Sequence, residues 1–126
     1  MAVYELGVEI DFIARHFLIA GNGGPENRVH SHHYRLEIQL QGNTLDDHGY
    51  LVDIVKVREH LERLVDGYRG QTLNELPELQ GLNPSIENLA RVSCRSLWQF
   101  FRDMGIRVIR VRVWEDGTAW AGYQEE

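Results

Sequence analysis

Three histidines are placed so that their imidazoles can converge. Phe12, Ala14 and His16 share parity along one alternating segment, and His30 and His32 share parity with Tyr34, Leu36 and Ile38 along a second. Successive side chains of a strand point to opposite faces, so all three rings take the apolar face of a sheet while Ser31 and His33 face away. Zinc accepts imidazole nitrogen at ~2.0–2.1 Å, and a catalytic Zn²⁺ takes three protein ligands and keeps one position open. A structural zinc would want a fourth ligand, and no cysteine or further histidine of suitable parity is at hand. The competing account is three histidines satisfied by hydrogen bonds inside a core. His33, His48 and His60 are expected as solvated surface residues.

Glu115 is the second unusual position, because it continues the row Ile109, Val111 and Val113 that a strand would bury. A buried carboxylate without partners is costly, so it requires donors from the protein or from a ligand. A planar heterocycle with an amino group beside a ring N–H offers two parallel donors. The alternative is a strand-tip residue that reaches water. Glu115 lies on a different hairpin from the histidines, so ligand recognition and metal binding are expected to be separable.

These groups need a sheet to hold them. Tyr4, Leu6, Val8, Ile10 and Phe12 alternate with polar residues, as do Tyr34 to Leu40, and both patterns are those of half-buried strands. A turn-forming loop, residues 20–27, lies between them, and Gly42-Asn43 ends the second. From Asp53 the period becomes helical, with Ile54, Val57, Leu61, Leu64, Val65 and Tyr68 in one stripe, Asp53 as N-cap and Gly67 as the stop. Asn83-Pro84-Ser85 signals a second helix with Asn83 as cap and Pro84 in the first helical position. Its stripe runs through Ile86, Leu89, Ala90, Ser93, Leu97, Phe100, Phe101 and Met104, to Gly105. A third strand follows, then the hairpin signal Asp116-Gly117 and a return from Ala119 to Tyr123. The order β-β-α-α-β-β predicts an α+β fold, an antiparallel sheet with both helices on one face and two open edges available for association.

Composition narrows the function classes. The chain has 126 residues, one domain's worth, with 43% hydrophobic and 25% charged residues. Its net charge of −6 gives no support to a general grip on nucleic acid. No apolar run reaches the ~18–20 residues of a membrane span and no signal-peptide layout opens the chain, so a cytoplasmic protein is expected. The lone Cys94 falls inside a helical pattern and is expected as a small buried hydrophobe.

Several segments in order carry a resemblance. Phe12-Ile13-Ala14-Arg15-His16 resembles an F-x-A-x-H signature, His30-Ser31-His32-His33-Tyr34 resembles H-G-H-x-Y, and Gly49-Tyr50-Leu51-Val52-Asp53 resembles G-M-V-x-D. Leu73-Asn74, Pro84-Ser85-Ile86-Glu87-Asn88, and Glu115 followed by Tyr123 complete the series. Together they resemble the 6-pyruvoyl-tetrahydropterin synthase and 6-carboxytetrahydropterin synthase family over essentially the whole chain. The resemblance implies a tunnelling fold in which trimers join their sheets into a barrel and stack as hexamers. It further implies Zn²⁺ on His16, His30 and His32, a pterin's amino-pyrimidine edge on Glu115, and the main chain of Ser85 and Ile86 beside the pterin.

The departures concern catalysis. Where bacterial members carry a cysteine four residues before the histidine pair, this chain has Glu26, and the family's Asp-His partners are replaced by Arg69-Gly70. The usual Cys-Asp-His triad is absent. Some homologues with Glu in place of that cysteine leave a 6-hydroxymethyl-7,8-dihydropterin, a folate precursor. The leading expectation is therefore a zinc-dependent lyase acting on 7,8-dihydroneopterin triphosphate or a related pterin, with Glu26 as base. The alternative is a pterin-binding homologue that has lost catalysis; a purely structural metal is a weaker third. Arg15, Arg28, Arg69 and Arg91 are the cations that could serve a triphosphate.

Overall fold

The computed structural model describes residues 3–19, 21 and 23–126. Met1 and Ala2, together with Ala20 and Asn22 of the expected 20–27 loop, lie outside the described residues. Strand β1 (Tyr4–His16) pairs antiparallel with β2 (His30–Gly42), β2 with β3 (Val108–Glu115), and β3 with β4 (Ala119–Glu125). The sheet order is β1-β2-β3-β4, leaving β1 and β4 at the edges. Helices α1 (Ile54–Asp66) and α2 (Ile86–Phe101) cover one face, α1 against β1 and α2 against β3 and β4. None of the described helices is long and apolar enough to cross a membrane.

The core follows the alternation. Phe12, Ala14, Tyr34, Leu36, Ile38, Leu40, Ile109, Val111 and Val113 are buried beneath the helices and meet Val57, Leu61, Val65, Leu89 and Leu97. Cys94 is buried as expected, and burial pushes its thiol pKa up to about 12. On the opposite face cross-strand pairs cover the sheet: Arg35 lies over Trp114 at 4.4 Å and Arg112 over Trp120 at 4.6 Å.

The helix starts differ in one instructive way. Asp53 caps α1 as expected, its carboxylate accepting from the Val55 N–H at 2.9 Å, and Gly67 is the C-cap. The second cap is Ser85 and not Asn83, with Ser85 Oγ accepting from the Asn88 N–H at 3.1 Å. Pro84 therefore precedes the helix, and the Asn83 side chain is used elsewhere, accepting the Ile19 N–H at 2.9 Å. Three residues assigned to buried stripes are exposed at their helix margins: Ile54, Phe100 and Met104. The chain leaves helical geometry after Phe101, so Met104 is carried away from the core. His60, expected as a solvated surface residue, is only partly exposed, its ring stacked on Phe100 at 4.2 Å and edge-on to Phe101.

Candidate metal centre and pocket

The end of β1 is fastened by the segment that leads into α2. The side-chain carbonyl of Asn74 accepts the Phe17 N–H at 3.0 Å while its amide donates to the Phe17 carbonyl at 2.8 Å. This two-point clamp grips the backbone one residue beyond His16, which is why Leu73-Asn74 matters to a site formed by other residues. The cross-strand register sets His16 opposite His30 and Ala14 opposite His32. Ala14, directly opposite His32, brings only a methyl group to that face.

The three rings face one another almost at right angles. Their centroids are 4.6, 4.9 and 4.7 Å apart, with interplanar angles of 74°, 88° and 86°. Each ring has its Nδ1 engaged by an acceptor. His16 donates to the Pro84 carbonyl at 3.0 Å, with the Tyr34 hydroxyl oxygen also 3.2 Å away, and His30 donates to the Arg28 carbonyl at 2.6 Å. His32 donates to the Asp116 carboxylate at 2.6 Å. A carbonyl or carboxylate has no proton to give, so these bonds place a proton on each Nδ1 and leave the three Nε2 atoms as the ligand atoms, those of His16 and His30 facing each other and that of His32 facing the Glu115 carboxylate.

That donor set fits a divalent metal. One ligand atom from each of His16, His30 and His32 lies within 4.8 Å of the others, and the Nε2 atoms of His16 and His30 are 3.0 Å apart. Nitrogens around a tetrahedral zinc are about 3.3 Å apart, given bonds of ~2.0–2.1 Å. Burial, the largest influence on His16, holds its pKa below the ordinary imidazole value; the Pro84 bond opposes this and the neighbouring His32 and His30 reinforce it. His16 is thus kept neutral, as a ligand must be.

An open pocket of about 510 Å³ adjoins the rings and is lined by His16, His30, His32, Glu26, Ser85, Ile86 and Glu115, among others. All seven residues singled out from the sequence meet there. Glu26 is exposed on a short 3-10 turn, Pro25–Asn27, tied to the end of β1 by the Leu18 N–H donating to the Glu26 carbonyl at 2.7 Å. Glu115 is partly buried, neither enclosed nor free in water, with its Oε1 3.3 Å from His32 Nε2. The two hairpins therefore meet at this point, and Glu115 is not as independent of the histidines as its place in the chain suggests. The four arginines lie off the pocket lining: Arg15 donates to the Gly70 carbonyl, Arg69 reaches Glu62, Arg91 donates to Asn88, and Arg28 supplies its carbonyl to His30.

Asp116 is the site residue that sequence reasoning missed. It was legible as half of an Asp-Gly turn, and Asp116 and Gly117 do take φ of 53° and 75°. Strand parity says nothing about a left-handed turn residue, so its carboxylate could not be aimed at His32 in advance. Desolvation raises the Asp116 carboxyl, and the donors on His32 and His33 outweigh it, leaving it below the usual carboxylate range.

Comparison with known proteins bears on this geometry. The family model for 6-pyruvoyl tetrahydropterin synthase matches residues 5–126. A 6-carboxy-5,6,7,8-tetrahydropterin synthase of Bacillus subtilis is 36% identical over 70 residues, 56% of this chain and 45% of that protein. A putative enzyme of the same name from Archaeoglobus fulgidus is 27% identical over 92% of this chain and 91% of its own. Among solved structures, the Caenorhabditis elegans 6-pyruvoyl tetrahydropterin synthase superposes with a TM-score of 0.85 at 16% identity, covering 100% of this chain and 98% of that one. A Plasmodium vivax 6-pyruvoyltetrahydropterin synthase whose catalytic glutamate is replaced by alanine gives 0.81 at 16% identity, covering 99% of each chain.

Proposed function

Because the chain belongs to the 6-pyruvoyl tetrahydropterin synthase family, we propose that it is a zinc-dependent lyase that carries out elimination from, or cleavage of, the side chain of 7,8-dihydroneopterin triphosphate or a related pterin. The observation that carries this is the meeting of three imidazole Nε2 atoms and two carboxylates, Glu26 and Glu115, around one pocket. Bound zinc supplies Lewis acidity, lowering the pKa of a substrate hydroxyl. Glu115 accepts the paired N–H groups of the pterin's amino-pyrimidine edge, in the bidentate manner of a carboxylate. Ser85 and Ile86 flank the ring through their main chain; Ile86 opens α2, where an N–H has no partner within the helix.

Glu26 is the base that takes the side-chain proton, in the place of the family's cysteine. A catalytic glutamate in the Plasmodium vivax synthase supports that role. The open edges β1 and β4 support assembly into trimers stacked as hexamers. Arg69-Gly70, in the place of the family's Asp-His, favours the second reading of a pterin-binding homologue without turnover. Incubating zinc-loaded protein with dihydroneopterin triphosphate and identifying the product by mass separates the two. A 6-hydroxymethyl product supports Glu26 as base, and pyruvoyl or carboxy products support a lyase that works without the triad. Unchanged substrate with tight pterin binding favours the second reading.

A further inference from the structure

We propose that Asp116 is a positioning residue for the metal centre, setting the tautomer and electron density of His32; this rests on the metal reading of the three histidines. The rings are held unequally. His16 and His30 donate to neutral main-chain carbonyls at 3.0 and 2.6 Å, whereas His32 donates to a carboxylate at 2.6 Å; the His30 and His32 bonds are equally short, and what sets His32 apart is the charge of its acceptor. That carboxylate is itself fixed. Its Oδ1 accepts the His33 N–H at 3.1 Å, and the Asp116 N–H donates to the His33 carbonyl at 2.8 Å. Three bonds thus fasten the turn between β3 and β4 to the two residues of β2 that include the ligand.

The backbone conformation decides which variants test the carboxylate cleanly. Asp116 has φ of 53°, and no other described non-glycine residue has a positive φ. An Asp-Gly pair is at home at the two positive-φ positions of such a hairpin turn, so the turn admits aspartate here, and glycine is the one residue that takes the same conformation with no steric cost. The carboxylate spans both neighbours: one oxygen holds the His33 N–H and the other holds the His32 ring. A carboxylate behind a ligating imidazole raises its basicity and fixes the ring, and loss of such a partner typically lowers metal affinity 10–100-fold.

The test is zinc affinity, measured by competition with a chromophoric chelator for the parent, Asp116→Asn and Asp116→Gly. Asparagine has one acceptor oxygen for two N–H donors and no charge; glycine keeps the backbone and removes the side chain. Both are expected to bind zinc ~10–100-fold more weakly than the parent; Asp116→Gly also gives up the His33 N–H bond and so lowers the zinc-free melting temperature, which makes affinity, and not stability, the deciding readout. Affinities within twofold of the parent for both variants overturn the proposal, and a fall in zinc-free stability with unchanged affinity assigns Asp116 a structural role only. A parent that binds no zinc overturns the metal reading and this inference with it.

Discussion

The Nε2 atoms of His16 and His30 lie 3.0 Å apart while each ring gives its Nδ1 proton to a main-chain carbonyl. In the neutral state two lone pairs face each other across that gap, and a cation between them removes the repulsion. Zinc is therefore expected to stabilise the fold, by ~4 kcal/mol at a free concentration a thousand times the dissociation constant. Thermal unfolding with and without a chelator checks this; identical melting temperatures would count against a metal at these rings.

Glu115→Gln replaces one acceptor oxygen by a donor that faces the ligand's own donor. Pterin binding is expected to fall by ~1.5–3 kcal/mol, roughly 10- to 150-fold. Zinc stoichiometry, measured on the same sample because Glu115 Oε1 is 3.3 Å from His32 Nε2, should stay at one, since the three nitrogen ligands remain. Neopterin bound as tightly as by the parent would make Glu115 a strand-tip residue.

Glu26→Gln keeps the size of the side chain and removes the base. Turnover is expected to drop ~10²–10⁴-fold with pterin affinity nearly unchanged. Single-turnover kinetics distinguish this from lost binding, and a variant as active as the parent would remove Glu26 from the chemistry.

Acid should weaken the zinc-free fold through His60. Burial against Phe100 holds its pKa below the ordinary imidazole value, with Arg63 and Lys56 reinforcing and Glu59 opposing. The unfolded chain then binds the proton first, so stability falls as pH drops below about 6.5 and continues to fall until the folded form is protonated. Denaturant unfolding at pH 7.5 and 5.5 should show a larger loss for the parent than for His60→Gln. Equal losses would contradict it.

Gly42 is a packing requirement. A Cβ there would stand 2.8 Å from Leu51 Cδ1 and 2.9 Å from the Gly105 carbonyl oxygen. Backbone cannot yield as a flexible side chain does, so Gly42→Ala is expected to cost ~1–3 kcal/mol in denaturant unfolding. An unchanged midpoint would show that the end of β2 relaxes freely.

The sheet and the histidines were legible because a strand's period of two is carried by every residue: His16, His30 and His32 take their face from Phe12, Ala14, Tyr34 and Leu36. Features set by three-dimensional register were not. The pairing of Tyr34 with Glu115 brings Glu115 to His32, and no local pattern announces which strand will lie beside β2. Asn83 misled as a helix cap because its side chain serves the extension of β1, leaving the cap to Ser85. His60 misled because a polar-looking helix face is partly covered by Phe100, whose own position in the stripe pointed inward.

Zinc-edge X-ray absorption of the purified, zinc-loaded protein tests the metal centre most directly. Three imidazole nitrogens and one light-atom ligand at ~2.0–2.1 Å, one zinc per chain, are the expected shell, and His32→Ala should remove one of the three imidazoles. A shell containing sulfur, a shell of oxygens alone, or a spectrum unaltered by His32→Ala would contradict a metal held by His16, His30 and His32.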